Sequence, residues 1–393
     1  MGSLDGIKVL DLTHYVAGPY CTLLLADAGA DVIKLEPLSG DIIREFPSTF
    51  DGESRLFLGL NRNKRSIAVN LKEKEGKKIV LEMCKKVDVF VEGYRPGVIE
   101  NLGLGPDELI SRNPRLVYLS ISAFGQSGPL KSRRGIDPIV QTYSGIPAEQ
   151  GTSEDPQLVQ GHFVDYFTGS LSSTAVSMAL FSREKSGSGQ YIDSSLLGGA
   201  VSLQQGRLTW ASEKEELENV RDPLTDRIAR IYDTLDGHIY LYMDVERFWK
   251  NACEVLELSK LSENTNWENF RERHDAREEI IPVVQKALLK KTADVWVEKF
   301  EKAEVPCAKV RLPAHLHEDE QMKEMSYLSE IVHKKYGKLK MIGPSVRFSA
   351  TPSSVRTPPP ILGEHTHEVL SEFGFSDNEI LNLRKQGVLL PDS

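Results

Sequence analysis

Strand-like and helix-like segments alternate over about the first 120 residues, and this alternation limits the possible folds more than any other feature of the chain. A short apolar run at residues 7–12 precedes a helix-like stretch at 20–28, and a second strand-like run follows at 32–35. That order is typical of a βαβ unit. Because the same alternation continues, the sequence predicts an α/β fold with a mostly parallel, doubly wound sheet.

A different pattern begins after about residue 205. Residues 210–300 carry charge runs, short strand-like pieces and helix-like stretches. In one of these stretches Trp296 and Phe300 lie one helical turn apart, which predicts a buried stripe. This part of the chain therefore predicts a second, smaller α+β domain. The Pro- and Ser-rich residues 349–360 predict an extended connector after it.

The charge balance argues against several classes of partner. The 48 lysines and arginines and the 57 aspartates and glutamates give a net charge of −9 at pH 7. Such a chain has no broad basic face for nucleic acid or for an anionic membrane surface, and on this ground alone an anionic ligand is also disfavoured. No uncharged apolar run reaches about 18 residues, so no transmembrane helix is expected.

Cysteine spacing and the N-terminal residues predict a cytoplasmic protein. The four cysteines lie far apart and form neither a CxxC pair nor a metal-ligand spacing, so reduced thiols are the simplest interpretation. The N-terminus enters a strand-like run almost at once and has no pattern of a secretion signal. His315 and His317 stand beside three acidic residues, but no further ligand cluster accompanies them, and no metal site is predicted.

The common catalytic motifs are absent. No GxGxxG follows the first strand, and no GxxxxGK[ST], HExxH or GxSxG occurs, so the alternation is poor evidence for a dinucleotide enzyme. Tyr94 and Arg95, however, follow a strand-like run, which is where open α/β sheets bind ligands. The guanidinium of Arg95 suits phosphate and the ring of Tyr94 suits a purine. Alternatively, the two residues belong to a surface turn.

Ten short segments spread along nearly the whole chain form an ordered set. They are residues 4–11, 17–19, 32–36, 63–66, 91–97, 125–129, 137–141, 187–190, 305–308 and 363–366. In this order they resemble the corresponding segments of the family III CoA-transferases, also called the CaiB/BaiF family. Each segment alone is a weak signal, whereas the ordered set is specific.

The resemblance implies a fold that local patterns do not supply. It implies a large Rossmann-like α/β domain built from both chain ends, a smaller central α+β domain, and a homodimer whose two chains are threaded through one another as interlocked rings. The expected division assigns residues 1–205 to the N-terminal part of the large domain. Residues 206–330 are expected to form the small domain with its linker, and residues 331–393 the return segment that completes the large domain.

Asp165 is the nucleophile that the resemblance implies. It stands in the glycine-bounded stretch 161–169, which is similar to the family's aspartate segment. The resemblance implies transfer of CoA from an acyl-CoA donor to a carboxylic acid acceptor. Acyl-aspartyl anhydride and aspartyl-CoA thioester intermediates would keep the thioester's free energy in covalent form. The CoA thioester is then a substrate, and no further cofactor is expected. The alternative is that Asp165 only caps the helix predicted at 166–180.

The resemblance also implies a CoA site. The residues expected beside the thioester and pantetheine are His14, Tyr15, Val16 and Ala17, and those expected near the adenine and phosphates are Lys64, Arg65, Tyr94 and Arg95. Asp137 is expected to orient Asp165 or the substrate. His14 is equally consistent with a structural role. Val16 departs from the formyl-CoA members of the family, which carry Gln at this position, so formyl-CoA and oxalate are less expected as substrates.

Two other functions stay open at this stage. A 2-methylacyl-CoA racemase has the same implied fold and aspartate, but the resembling racemases carry a proton-exchanging histidine where this chain has Ile136. The second alternative is a non-catalytic CoA-binding protein. The acid pair stays undefined. Small mono- or dicarboxylates are the expected acceptors, and succinyl-CoA is the expected donor, because an Arg or Lys near the site could bind its free carboxylate. Arg207, Lys214 and Arg221 follow the Asp165 segment and are candidates for this contact; alternatively, each is a surface charge.

Overall fold

The structure, a computed structural model, describes residues 1–209 and 227–391. The chain divides into two compact units, one formed by residues 1–209 and 320–391, and a second whose described part is residues 227–319. The division predicted at residues 205 and 330, the role of the return segment and the interlocked homodimer stay predictions.

The N-terminal segment alternates strands with helices. Its strands are β1 Lys8–Leu12, β2 Asp31–Glu36, β3 Thr49–Phe50, β4 Glu53–Ser54, β5 Lys64–Ala68, β6 Val89–Glu92, β7 Val117–Ser122 and β8 Tyr191–Ser195. Its helices are α1 Ala17–Asp27, α2 Arg55–Leu60, α3 Lys74–Cys84, α4 Val98–Asn101, α5 Pro106–Arg112, α6 Asp137–Tyr143, α7 Ile146–Gln150, α8 Phe163–Ser186 and α9 Leu196–Ser202.

Six of these strands form one parallel sheet in the order β5-β2-β1-β6-β7-β8. The predicted α/β fold with a mostly parallel sheet is therefore confirmed. The chain runs outward from β1 through β2 to β5 and then returns to the other side of β1 to form β6. This reversal is a topological switch point, where open α/β sheets leave a crevice beyond the carboxyl ends of their strands.

Both faces of the sheet are covered, as expected for parallel strands with apolar side chains on both sides. Because side chains alternate along a strand, Leu10 and Leu12 pack into one core cluster and Val9 into the other. The first cluster contains apolar residues of α3 and α5, and the second contains those of α1, α8 and α9.

The described part of the second unit is a small α+β arrangement. Its elements are β9 Arg230–Asp233, β10 His238–Leu241, α10 Glu246–Val255, α11 Ser259–Ser262, α12 Phe270–Asp275, α13 Arg277–Leu288, α14 Ala293–Lys302 and β11 Cys307–Lys309. The three strands pair antiparallel in the order β11-β10-β9. Trp296 and Phe300 of α14 are both buried in its core, which confirms the predicted stripe.

Residues 320–391 belong to the first unit. They form α15 Glu320–Glu324, the antiparallel pair β12 Leu328–His333 and β13 Gly337–Ile342, α16 Thr366–Glu372 and α17 Asp377–Lys385. Asn63, in the left-handed region with a φ of 60°, binds the extended connector: its side chain donates to the Ser354 carbonyl and accepts from the amides of Arg356 and Thr357. Beyond the connector, apolar residues of α16 and α17 complete the first core cluster.

Candidate active site

A cavity of about 640 Å³ lies at the switch point of the sheet. Its walls are residues 13–18 after β1, residues 93–96 after β6, residues 121–123 at the end of β7, residues 131–138 leading into α6, and the start of α8. The strands β1 and β6 are paired so that Leu12 is opposite Glu92, and the two loops that follow them therefore reach the same crevice. This places several of the predicted site residues around one space.

Asp165 lines this cavity from the first turn of α8, and its side chain is 11% exposed. It does not cap the helix, so the capping alternative is wrong: α8 begins at Phe163, and residue 162 holds the N-cap position. Asp137, at the start of α6, accepts hydrogen bonds from the amides of Val164 and Asp165 at 2.7 and 3.0 Å. A carboxylate from another helix thus satisfies the free amides at the start of α8.

Burial raises the pKa of Asp165, and the nearby Asp137 carboxylate raises it further. His162 acts in the opposite direction, since its Nδ1 lies 3.7 Å from Oδ2 of Asp165. The position of Asp165 within the first helical turn also favours its charged form. The result is a nearly buried carboxylate that opens toward a cavity, an arrangement suited to a nucleophile.

Buried charged side chains hold the loop after β1 in place. Nζ of Lys34 donates to the Thr13 carbonyl at 2.8 Å and pairs with Asp41 at 2.9 Å. The backbone of Tyr15 has a φ of 65°, and its amide donates to Asp41 at 3.4 Å. An uncommon backbone conformation fixed by a buried ion pair is typical of loops that shape a binding site.

The predicted loop residues share this wall. His14, Tyr15, Val16 and Ala17 all line the cavity. The ring of His14 lies 5.8 Å from that of Tyr94, and burial lowers the pKa of His14. Val16 is 1% exposed and anchors the loop in an apolar cluster with residues of α1 and α2.

Lys64 and Arg65 do not line the cavity, and their predicted contact with CoA stays a prediction. The Lys64 side chain is fully buried, and its Nζ contacts Asp11, Asn61 and the Pro19 carbonyl. Burial lowers the pKa of Lys64 to about 8. In this position the Lys64 ammonium pairs with the buried Asp11 carboxylate of β1 and is not exposed to solvent.

Arg65 is engaged by three carboxylates. Its guanidinium binds Asp31 at 2.7 Å, Glu368 at 2.8 Å and Glu372 at 2.7 Å. These contacts connect β5 and β2 to α16.

Four arginine and lysine side chains do line the cavity: Arg95, Lys131, Arg133 and Arg134. Within residues 1–209 and 227–391, none of the four has an acidic partner, and the guanidinium of Arg133 lies over the rings of Phe124 and Tyr143. Of the four, the sequence analysis identified only Arg95. The signal for the other three was the dense basic run at residues 131–134 of an acidic chain, directly after the segment 125–129.

Ile136 and the predicted carboxylate-binding residues lie at different places in the chain. Ile136 also lines the cavity and is 53% exposed, so an aliphatic group occupies that part of the wall. Arg207 pairs with Glu149 at 3.3 Å, whereas Lys214 and Arg221 lie outside the described residues. Among the described residues, no cluster of His, Cys, Asp and Glu could hold a metal ion, and no helix is long and apolar enough to cross a membrane.

The chain is similar to several known proteins. The family model described as CoA-transferase family III matches residues 4–366. Human succinyl-CoA:glutarate CoA-transferase is 32% identical over 98% of this chain and 90% of its own. Formyl-CoA:oxalate CoA-transferase of Bradyrhizobium diazoefficiens is 30% identical over 99% and 98% of the two chains. The crystal structure of a CAIB/BAIF family protein from Brucella suis matches with a TM-score of 0.83 and 26% identity over 95% of this chain and 99% of that one.

Proposed function

The chain belongs to the family III CoA-transferases and is a CoA-transferase, and from this premise we propose that it moves CoA from an acyl-CoA thioester to a carboxylic acid through covalent catalysis by Asp165. The observation that carries this proposal is the position of Asp165. Its carboxylate lies at the start of α8, in the wall of the cavity that the switch-point loops also line, together with four cations that have no acidic partner among the described residues.

The reaction proceeds through two anhydrides and one thioester. The Asp165 carboxylate attacks the thioester carbonyl of the donor, and the C–S bond breaks to give an acyl-aspartyl anhydride and CoA thiolate. The thiolate attacks the aspartyl carbonyl, which releases the donor acid and leaves an aspartyl-CoA thioester. The acceptor carboxylate attacks this thioester to form a second anhydride. The freed thiolate then takes the acceptor acyl group and restores the carboxylate.

Each of these intermediates reacts with water, so the nucleophile must lie in a sheltered position. The 11% exposure of the Asp165 side chain supports this requirement. Asp137 holds the backbone amide of Asp165 by a 3.0 Å hydrogen bond and thereby limits movement of the nucleophile between steps.

The four cavity cations are proposed to bind the phosphates of CoA. A net charge of −9 argues against a broad protein surface that binds anionic ligands, but a phosphorylated ligand needs only local positive charge. Arg95, Lys131, Arg133 and Arg134 supply it without competing carboxylates among the described residues. His14, Tyr15, Val16, Ala17 and Tyr94 line the same cavity and are proposed to contact the thioester, pantetheine and adenine portions.

Succinyl-CoA is the proposed donor, and a small mono- or dicarboxylate is the proposed acceptor. A relative that is 32% identical over nearly the whole chain carries succinyl-CoA and glutarate in its name. The free carboxylate of a dicarboxylate matches the cationic cavity wall.

We also propose an interlocked homodimer in the cytoplasm. Leu171, Met178 and Phe181 form an exposed apolar stripe on α8 that a second chain could cover. All four cysteines are unpaired thiols, which suits a reducing compartment.

Trapping the covalent intermediate tests this function. Wild-type enzyme incubated with succinyl-CoA and hydroxylamine is expected to lose activity and to gain the mass of a hydroxamate on the peptide that contains Asp165. Asp165→Asn is expected to show neither the modification nor transfer to glutarate or oxalate. Asp107→Asn, an exposed change in the first turn of α5, is the matched control. Transfer by Asp165→Asn at the wild-type rate would exclude the mechanism, and failure of every carboxylate to accept CoA would exclude the proposed reaction.

A further inference from the structure

His162 lies directly before α8, and the mechanism above does not use it. Its backbone is in the left-handed region with a φ of 60°, a conformation that is uncommon for residues other than glycine. The side chain lines the cavity, and its Nδ1 lies 3.7 Å from Oδ2 of Asp165. A histidine held in an unfavoured backbone conformation beside a nearly buried carboxylate indicates a role in the site.

We propose that His162 is a positioning residue for Asp165, whose imidazolium pairs with the carboxylate and keeps it ionised and oriented toward the cavity. This inference rests on the proposed function, because it assigns His162 a role through the nucleophile. His162 lies outside the ten segments that carry the family resemblance, and its side chain makes no capping hydrogen bond to α8.

The surroundings of the pair explain why a cation is needed there. Burial and the Asp137 carboxylate of α6 both disfavour the charged form of Asp165, and His162 is the group that opposes them. In return, the carboxylate of Asp165 raises the pKa of His162. The other titratable groups near this end of α8 are Tyr166 on α8 and Tyr20 on α1, whose rings lie 4.8 Å apart.

Further titratable and charged groups belong to the rest of the cavity wall. They are His14 after β1, Tyr94 and Arg95 after β6, and Lys131, Arg133 and Arg134 before α6. These cations line the cavity, whereas His162 is the one paired with Oδ2 of Asp165 among the described residues.

The pairing also fits the flow of charge in the first step. As the bond from Asp165 to the acyl carbon forms and the C–S bond breaks, one negative charge passes from the carboxylate to the sulfur of CoA. No proton needs to move, and His162 can remain an imidazolium throughout. A fixed positive charge beside the cavity therefore stabilises the site before and after acylation.

Nuclear magnetic resonance tests the pair without any need for activity. Protein labelled with ¹³C at the histidine Cε1 is titrated as wild type and as Asp165→Asn, and the signal of His162 is assigned by its loss in His162→Asn. The pKa of His162 is expected to fall toward the ordinary value of 6.5 in Asp165→Asn. An unchanged pKa would overturn the inference.

The pH dependence of catalysis separates positioning from a structural role. His162→Asn removes the imidazolium but keeps a residue that tolerates the left-handed backbone. His238→Asn is the matched control, since it removes a similar pair, in which Nδ1 lies 2.9 Å from Oδ1 of Asp233, in the other unit. The acid limb of kcat/KM is expected to move to higher pH in His162→Asn only, so that its activity loss is several-fold larger on that limb than on the plateau.

Two outcomes remain distinct in these experiments. An equal loss of kcat/KM at every pH would show that His162 acts on structure alone and would reject the positioning role. Full transfer activity in Asp165→Asn would instead reject the proposed function, while the titration of His162 would still report whether the two side chains are paired.

Discussion

Glu92 provides a test of how burial controls ionisation beneath the cavity. It ends β6, is fully buried, and accepts a hydrogen bond from the amide of Tyr94 at 2.8 Å. Burial raises the pKa of Glu92 to about 7 from an ordinary value of 4.5. Glu92→Gln keeps the size of the side chain and an acceptor for Tyr94, but it removes the ionisation.

The sign and the magnitude follow from these two pKa values. The folded protein holds the Glu92 proton up to about pH 7, whereas the unfolded chain releases it near 4.5, so the free energy of unfolding falls as the pH rises between them. The interval of about 2.5 pH units, at about 1.4 kcal/mol each, corresponds to about 3–4 kcal/mol. Glu92→Gln is therefore expected to equal wild type near pH 4.5 and to exceed its stability by about 3–4 kcal/mol at about pH 8.

Urea denaturation of both proteins from about pH 5 to about pH 8 measures this difference, and the subtraction removes contributions from other groups. Glu36→Gln is the control. Burial alone would raise the pKa of Glu36, but Arg44, with Lys34 and Ser66, holds this pKa below its ordinary value. The Glu36 carboxyl is therefore charged in both the folded and the unfolded protein over this pH range. Its stability deficit is expected to stay constant. A pH-independent difference for Glu92→Gln, or a loss of stability at about pH 8, would refute the reasoning.

Three further changes test the packing and the site. Gly169→Ala places a Cβ 2.6 Å from a carbonyl oxygen of α1 and is expected to lower the free energy of unfolding by about 1–3 kcal/mol in urea titration, whereas Gly59→Ala, with open space around it, is expected not to. Arg65→Ala is expected to leave the KM for acyl-CoA unchanged, while Arg133→Ala raises it about fivefold; the reverse order in steady-state kinetics would contradict the assignment of the cations. The amides of Val164 and Asp165 both donate to Oδ2 of Asp137, and Asp137→Asn replaces this charged acceptor by a neutral amide, so we expect a loss of about 1 kcal/mol in thermal unfolding and a lower kcat; an unchanged kcat would count against its positioning of the nucleophile.

The sheet could be predicted because its signals are local. The β1-α1-β2 unit follows from one apolar run, one helix-like stretch and a second apolar run, all within about 30 residues. The order of the six strands depends on contacts between segments far apart in the chain, and no local pattern records it. The third strand of the second unit, β11, lies 65 residues beyond β10, and the sequence analysis did not pair it with β10.

The candidate site was predictable where residues follow strands. The pair Tyr94 and Arg95 was identified in this way, whereas the loop that begins at His14 was implied by the family resemblance; both line the cavity. The burial of Lys64 was not predictable, because a positive charge in sequence does not reveal burial and its partner Asp11 lies 53 residues away. His162 was not singled out, because its significance depends on a backbone conformation and a distance that the sequence does not show.

The connector held by Asn63 has a consequence for synthesis of the chain. The apolar face of the sheet that α16 and α17 cover includes Leu10, Leu12 and Ile33, which leave the ribosome early. At about 5–20 residues per second, residues 210–365 take roughly 8–30 s to translate. During that interval the sheet lacks the helices that cover this hydrophobic face next to its edge strand β5, so we expect the first unit to need protection by a chaperone until the last helices arrive.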